Sequence, residues 1–280
     1  MIKAAFFDID GTLLSSNGEV LASTKRAIEK LHQEDVLCCI ASGRGPKSIQ
    51  SLIGQLPMDA YVLYNGQICF SHEVGIFENP FNQETLKRLA EFGDSENKQM
   101  IFGSRKEFYG SQSMQLGQRK LIKHLYHLLP DQVSAKELEK WLKKWQILPQ
   151  KENKFMSLPI FNRPVYQCVM LSPESEQERL EALFPDCKFT RSNPYSVDII
   201  PQGGSKIVGI NEVLKHYELD VHEAIAFGDS WNDLEMLKGI GIGVAMGNAP
   251  DDVKEEADYV TETNDRDGIY QALVHHQVIR

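Results

Sequence analysis

Two aspartates one residue apart, Asp8 and Asp10, follow the apolar stretch Ile2 to Phe7. Such a run reads as a buried strand of a parallel sheet. Side chains on a strand repeat every two residues, so both carboxylates point to one side while the chain stays extended. Carboxylates converging on one small volume repel each other, and a bound cation or a retained proton relieves them. Gly11 then permits a tight turn. Asp-x-Asp-Gly also occurs in plain turns and calcium loops, but no EF-hand spacing follows Asp8. The chemistry indicated is a cation-assisted active site beyond the carboxyl end of a strand, where ligands of open α/β sheets bind. Two more apolar strands end in polar, glycine-containing turns, Ser42-Gly43-Arg44 and Gly228-Asp229-Ser230-Trp231-Asn232-Asp233. Lys206 opens a helix just after the pair Gly203-Gly204.

Strands and helices must alternate to present these turns together. Thr24 to Gln33 carries Ala27, Ile28 and Leu31 at helical spacing, with Ser23 or Thr24 as N-cap. Val36 to Ala41 and Tyr61 to Tyr64 read as strands, the second ending in Asn65-Gly66. Strand, helix, strand in this rhythm implies parallel pairing by right-handed crossovers. Gln67 to Phe70 and Val74 to Phe77 suit a small hairpin. The character changes near Asn79-Pro80. A helix (Glu84 to Phe92), two short strands (Gln99 to Gly103, Glu107 to Ser111), helices over 118–129 and 134–147, a strand (Tyr166 to Ser172) and a helix (Pro173 to Phe184) make an α+β block. In it Leu138, Trp141, Leu142 and Trp145 fall at helical spacing, as core residues do. The α/β pattern then returns: strand Val197 to Ile200, helix Lys206 to Tyr217, strand Ala224 to Phe227, a helix to Lys238, strand Ile242 to Ala245, and a helix opened by Pro250.

Composition removes several classes of function. The chain has 280 residues, 42% hydrophobic and 25% charged, which is ordinary for one large or two smaller globular domains. A net charge of −9 argues against nucleic acid as a partner. The five cysteines, Cys38, Cys39, Cys69, Cys168 and Cys187, contain no CxxC and read as reduced thiols. The eight histidines show no metal-ligand spacing. No apolar run approaches the ~20 residues of a membrane helix, and Met1-Ile2-Lys3 leads straight into the first strand without a signal peptide. A cytoplasmic protein without membrane or nucleic-acid partners is expected; oligomeric state is not legible. Gly239 to Gly243 misses the G-x-G-x-x-G spacing, and Gly203-Gly204-Ser205-Lys206 is not a Walker A sequence.

Asp8-Ile9-Asp10-Gly11-Thr12, Ser42-Gly43-Arg44, Lys206 and Gly228-Asp229-Ser230-Trp231-Asn232-Asp233 resemble motifs I, II, III and IV of the haloacid dehalogenase superfamily of phosphotransferases, in the family's order. The Asn65-Gly66-Gln67-Ile68 turn is similar to a further segment of the Cof-like subfamily, although Gln67 replaces a small residue common there. The resemblance implies an α/β fold: a Rossmann-like parallel-sheet core, residues 1–83 and 189–280, with an inserted α+β cap of the C2B type at 84–188. It also implies roles. Asp8 is the nucleophile and forms an aspartyl-phosphate. Asp8 and Asp229 hold Mg²⁺ through their side chains and Asp10 through its carbonyl. The Asp10 carboxyl is left as acid and base for the leaving group and for water. Ser42, the Gly43 amide, Asn65, Gly66 and Asn232 hold phosphate or substrate, and Lys206 neutralises phosphate and nucleophile. Thr12, Asn232 and Asp233 steady the metal, water or phosphate from just outside. Arg44 either contacts substrate or pairs with a carboxylate.

The activity expected is Mg²⁺-dependent hydrolysis of a small phosphorylated metabolite. Sugar phosphates are favoured by the subfamily and by no residue of this chain. A phosphomannomutase-like isomerase shares the motifs, and a non-catalytic phosphate sensor is the third alternative. The insert carries 17 Lys and Arg against 14 Asp and Glu, within a strongly acidic remainder. That contrast suits a mobile lid that selects substrate over an acidic site, and equally suits uneven surface composition.

Overall fold

The computed structural model describes residues 1–54, 56–72, 74–111 and 154–280. Contacts divide the chain into one unit of Met1–Asn79 with Gly203–Arg280, and a second of Pro80–Gln202.

The first unit is built on an eight-stranded sheet in the order β13-β12-β11-β1-β2-β3-β4-β5. β1 (Ala4–Phe7) lies centrally, between β2 (Leu37–Ala41) and β11 (Ala224–Gly228). β3 (Ala60–Leu63), β12 (Ile242–Ala245) and β13 (Tyr259–Val260) continue the parallel part. β4 (Ile68–Ser71) and β5 (Val74–Glu78) add an antiparallel hairpin at one edge. The central strands are apolar on both faces because both are covered. Ala4 and Phe6 join Cys39, Ala41 and Val62 in a core with Ile210, Val213 and Leu214 of α5 (Lys206–His216) and Met236 and Leu237 of α6 (Leu234–Gly239). Across the sheet α1 (Ala22–Gln33) packs on β2 and on α8 (Gly268–His275), and α2 (Pro46–Ile53) follows β2. Phe7 stacks on Phe227 at 5.2 Å between ring centroids.

Register makes the site. Phe7 is level with Ile40 on one side and Phe227 on the other. The carboxyl ends of β1, β2 and β11 therefore finish together, at Asp8, Ser42 and Asp229.

The second unit has a five-stranded antiparallel sheet in the order β7-β6-β8-β10-β9. Its strands are β6 (Met100–Gly103), β7 (Phe108–Gly110), β8 (Gln167–Leu171), β9 (Cys187–Asn193) and β10 (Ser196–Pro201). α3 (Gln83–Ser95) is capped by Asn82, whose side chain accepts from the Thr85 amide at 2.8 Å. Leu86, Leu89 and Ala90 of α3 meet Met100, Phe102, Cys168, Val197 and Ile199 in this unit's own core, joined by Leu180 of α4 (Gln177–Leu183).

Several details differ from the sequence reading. Val197 to Ile200 is not a core strand: it lies in β10, which pairs with β8 and β9 in the second sheet. The Asn193 side chain accepts from the Tyr195 and Ser196 amides at 3.0 Å each and closes the β9–β10 turn. The second unit consequently runs over 80–202 where the sequence suggested 84–188. β9 went unread because its apolar residues, Cys187 and Phe189, are too few to stand out among Lys188, Thr190 and Arg191. The N-cap of α1 is Leu21, without a side-chain cap, and neither Ser23 nor Thr24 fills that place. Pro250 is the N-cap of α7 (Asp251–Glu255), one residue before its first helical position. The helices expected over 118–129 and 134–147, with Leu138, Trp141, Leu142 and Trp145, lie outside the described residues. Among the described residues no helix is long and apolar enough to cross a membrane. All five cysteines are free and buried.

Candidate active site

Three strand ends and one helix start deliver the charged groups. The Asp8 amide donates to the Phe227 carbonyl at 3.0 Å, extending the β1–β11 ladder by one residue. The Ser42 amide does the same to Val62 at 2.8 Å. Lys206 is the first residue of α5, where a cation opposes the helix dipole. Its position needs compensating acids, and the fold supplies two.

Lys206 Nζ donates to Asp8 Oδ1 and to Asp233 Oδ1, both at 2.6 Å. Lys206 is 1% exposed and Asp233 0%. The other Asp233 oxygen accepts from the Asp229 and Ser230 amides at 3.0 Å each. Asp233 thus fixes Lys206 with one oxygen and the loop carrying Asp229 with the other. Thr12 Oγ1 donates to Asp229 Oδ1 at 3.1 Å. Asn248, which the sequence reading passed over, donates to the Gly11 carbonyl at 2.9 Å and to Asp229 Oδ2 at 3.3 Å. The Asn264 amide in turn donates to Asn248 Oδ1 at 3.0 Å. The one available signal was position: Asn248 follows β12 at its carboxyl end, as Asp8 and Asp229 follow their strands.

Two glycines allow these close approaches. Gly11 has φ +81°, and a β-carbon there would lie 2.1 Å from Asp229 Oδ2. Gly66 has φ +89°, and its β-carbon would lie 1.9 Å from the Ser205 carbonyl oxygen. The turn after β3 is thereby pressed against the start of α5. Tyr64 and Asn65 in that turn are left-handed, both with φ 52°, a conformation costly for non-glycine residues. Their amides donate to the Arg44 and Ser42 carbonyls at 3.1 Å each, which ties the turns after β2 and β3 together.

The remaining candidates pair around this cluster. Arg44 grips Asp10 with two donors, Nη2 to Oδ1 at 2.7 Å and Nε to Oδ2. Asp10 is exposed, whereas Asp8 is buried. The Asn232 side chain donates to Asn65 Oδ1 at 3.1 Å. Ser42 Oγ accepts from the Arg44 amide at 3.2 Å, and Gly43 lies between them in the same turn.

Electrostatics show what the cluster can bind. Three carboxylates face one ammonium in a dry setting. Burial pushes the Asp8 carboxyl up to about 7, against the pull of Lys206 and helped by Asp233 and Asp10. Burial pushes Asp229 up to about 8, reinforced by Asp8 and Asp233. Burial alone would lower Lys206, but Asp233 and Asp8 override it and hold the amine charged, above its ordinary range. Asp8, Asp229 and Asp233 each offer an oxygen within 4.8 Å of the others, with no histidine or thiol among them. An all-oxygen, over-anionic donor set fits a hard divalent cation.

The whole chain has relatives. The profile of the haloacid dehalogenase-like hydrolases matches residues 5–273. Bacillus subtilis YkrA, named as a candidate phosphatase, is 30% identical over 272 residues, 97% of this chain and 96% of its own. Bacillus subtilis YcsE, named a 5-amino-6-(5-phospho-D-ribitylamino)uracil phosphatase, is 26% identical, covering 98% of this chain and 95% of its own. Among solved structures, the subclass IIB sugar phosphatase BT4131 superposes with a TM-score of 0.80 and 31% identity, covering 99% of this chain and 100% of its own. With that match from Ala5 to Leu273, the chain belongs to the haloacid dehalogenase-like hydrolase family.

Proposed function

We propose that this hydrolase is a Mg²⁺-dependent phosphatase of small phosphorylated metabolites, sugar phosphates first, working through an aspartyl-phosphate on Asp8. One observation carries the reading: a buried strand-end aspartate with an ammonium 2.6 Å from one oxygen and a second carboxylate, Asp229, within reach of a shared cation. Mg²⁺ held by Asp8, Asp229 and the Asp10 carbonyl would neutralise charge on phosphate and nucleophile.

The protein's own groups do the rest. An Asp8 oxygen attacks phosphorus while the bond to the substrate oxygen breaks, and the Asp10 carboxyl gives that oxygen a proton. Asp10, now a carboxylate, takes a proton from water; the water attacks phosphorus, the bond to Asp8 breaks, and inorganic phosphate leaves. Arg44 orients the Asp10 carboxyl through its paired donors. Lys206 stays charged throughout because Asp233 remains beside it. Ser42 and the Gly43 amide bind the phosphoryl oxygens. These residues read only phosphate and metal, so selection of the substrate falls to the inserted unit. The named relatives, a sugar phosphatase and a ribitylamino-uracil phosphatase, support the substrate class.

Inorganic phosphate release across a panel of phosphorylated metabolites tests the reading. Release should cease with chelator and return with Mg²⁺. Full turnover after exhaustive chelation would overturn the metal, and formation of an isomer without phosphate would favour a mutase. Asp10→Asn should slow hydrolysis by ~10²–10⁴, the usual worth of a positioned proton-transfer group. The penalty should shrink for an aryl phosphate with a very acidic leaving group, whose departure needs no proton. An equal penalty for both leaving groups would reduce Asp10 to a positioning role.

A further inference from the structure

The described residues hold a second cluster of metal-ligating atoms, away from the first. His32 lies in the last turn of α1, Cys38 is the second residue of β2, and Asp59 directly precedes β3. Each offers a donor atom within 4.8 Å of the other two. His32 Nε2 lies 3.0 Å from Asp59 Oδ2. The Cys38 amide donates to that same oxygen at 2.8 Å, which fixes the carboxylate toward the strand. Cys38 is fully buried, while the His32 and Asp59 side chains are 30% and 26% exposed, so a cation has a route in from solvent. Cys38 is level with Ala5, three residues before Asp8. It therefore sits toward the amino ends of the strands, about 10 Å along the sheet from the aspartate cluster.

The donor set differs in kind from the catalytic one. Sulfur, imidazole nitrogen and one carboxylate oxygen suit a borderline cation and are poor ligands for magnesium. Zinc takes sulfur at about 2.3 Å and nitrogen or oxygen at about 2.0–2.2 Å, which places tetrahedral ligands about 3.3–3.7 Å apart. The His32–Asp59 separation is already close to that, and the sulfur, within 4.8 Å of both, needs to draw in by about 1.3 Å at most. We propose that His32, Cys38 and Asp59 form a zinc site with solvent as fourth ligand, pinning the end of α1 to β2 and β3. On binding, the Cys38 sulfur–hydrogen bond gives way to a sulfur–zinc bond, His32 gives up the Nε2 proton that faces Asp59 and keeps or takes one on Nδ1, and the displaced protons pass to solvent. The helix end, which sequence spacing alone could not connect to Asp59, would then be held by the metal in place of the His32–Asp59 hydrogen bond.

The test is zinc binding to the chelated full-length protein in a large excess of Mg²⁺, which occupies the oxygen site. Native mass spectrometry should show one zinc per chain, and Co²⁺ should produce a thiolate-to-cobalt charge-transfer band in the near ultraviolet. Cys38→Ser should lose both. His32→Gln, a change at a ring that is 30% exposed, should weaken zinc by more than the roughly 10–100-fold that loss of an outer partner costs. Asp229→Asn should keep the site intact. Absence of zinc from the wild-type protein under excess Mg²⁺, or binding that Cys38→Ser and His32→Gln leave unchanged, would overturn the proposal and leave Asp59 as the cap of the Cys38 amide. Neither outcome bears on the phosphatase reading, because nothing in this cluster touches Asp8 or its partners.

Discussion

Asp8→Asn is expected to abolish phosphate release, with kcat down by ~10⁴ or more, because an amide oxygen forms no acyl-phosphate. The folded protein should survive, and in chelator at pH 8 it should melt higher than wild type. The sign follows from the Asp8 carboxyl being pushed up to about 7 in the fold, against an ordinary value near 4 when unfolded. A raised folded value means the native state keeps its proton longer. The stabilisation is complete below the unfolded value and is lost as pH climbs through the folded one. Asp229, pushed up to about 8, acts in the same direction. Metal-free wild type should therefore lose stability steadily between about pH 4 and pH 8, and Mg²⁺ should restore it most at the upper end. Asp8→Asn removes one of the two contributors. Thermal melts with and without chelator at four pH values between these limits check this. A metal-free wild type whose melting point rises across that range would contradict the account.

Lys206→Met is expected to damage both stability and turnover. Methionine fills a similar volume but leaves Asp8 and Asp233 without the ammonium that bridges them at 2.6 Å each. Removing one partner from a buried ion group costs about 3–5 kcal/mol, mostly for the charge left behind. Asp233 would also lose the partner that fixes it beneath the Asp229 and Ser230 amides. Turnover should fall by ~10²–10³ for the lost charge at the phosphoryl group. Lys206→Arg should not rescue, since a planar guanidinium has no room where Lys206 is 1% exposed. Urea unfolding with kcat/KM for the same variants gives both readouts. A methionine variant as stable and active as wild type would remove Lys206 from the site.

Much of the scaffold was legible because its signals are local. Apolar runs such as Phe6-Phe7 and Ala224 to Phe227 mark strands covered on both faces, and a polar, glycine-containing turn after each marks its carboxyl end. Parallel pairing followed from alternation with helices. What stayed hidden depends on contacts between distant segments. Asn248 acts through Gly11 and Asp229, 237 and 19 residues away, and nothing in Met246-Gly247-Asn248 announces that. Arg44 had two readings from its position, and only the geometry places its guanidinium on Asp10. β9 and β10 form a half-polar antiparallel hairpin, whose two-residue period is too weak over short lengths to reveal which sheet it joins. β13, with two residues, and α8, after a polar loop, carry no strong period either. His32, Cys38 and Asp59 come from three elements and show no ligand spacing at all.

The account turns on a covalent bond to one oxygen of Asp8. Rapid quenching of enzyme turning over a good substrate with Mg²⁺, followed by borohydride reduction, converts an acyl-phosphorylated aspartate to homoserine. Peptide mass mapping should find homoserine at position 8, dependent on both substrate and Mg²⁺. Its loss in Asp8→Asn, with phosphate release gone as well, would complete the result. Homoserine at another aspartate, or undiminished phosphate release from Asp8→Asn, would contradict it.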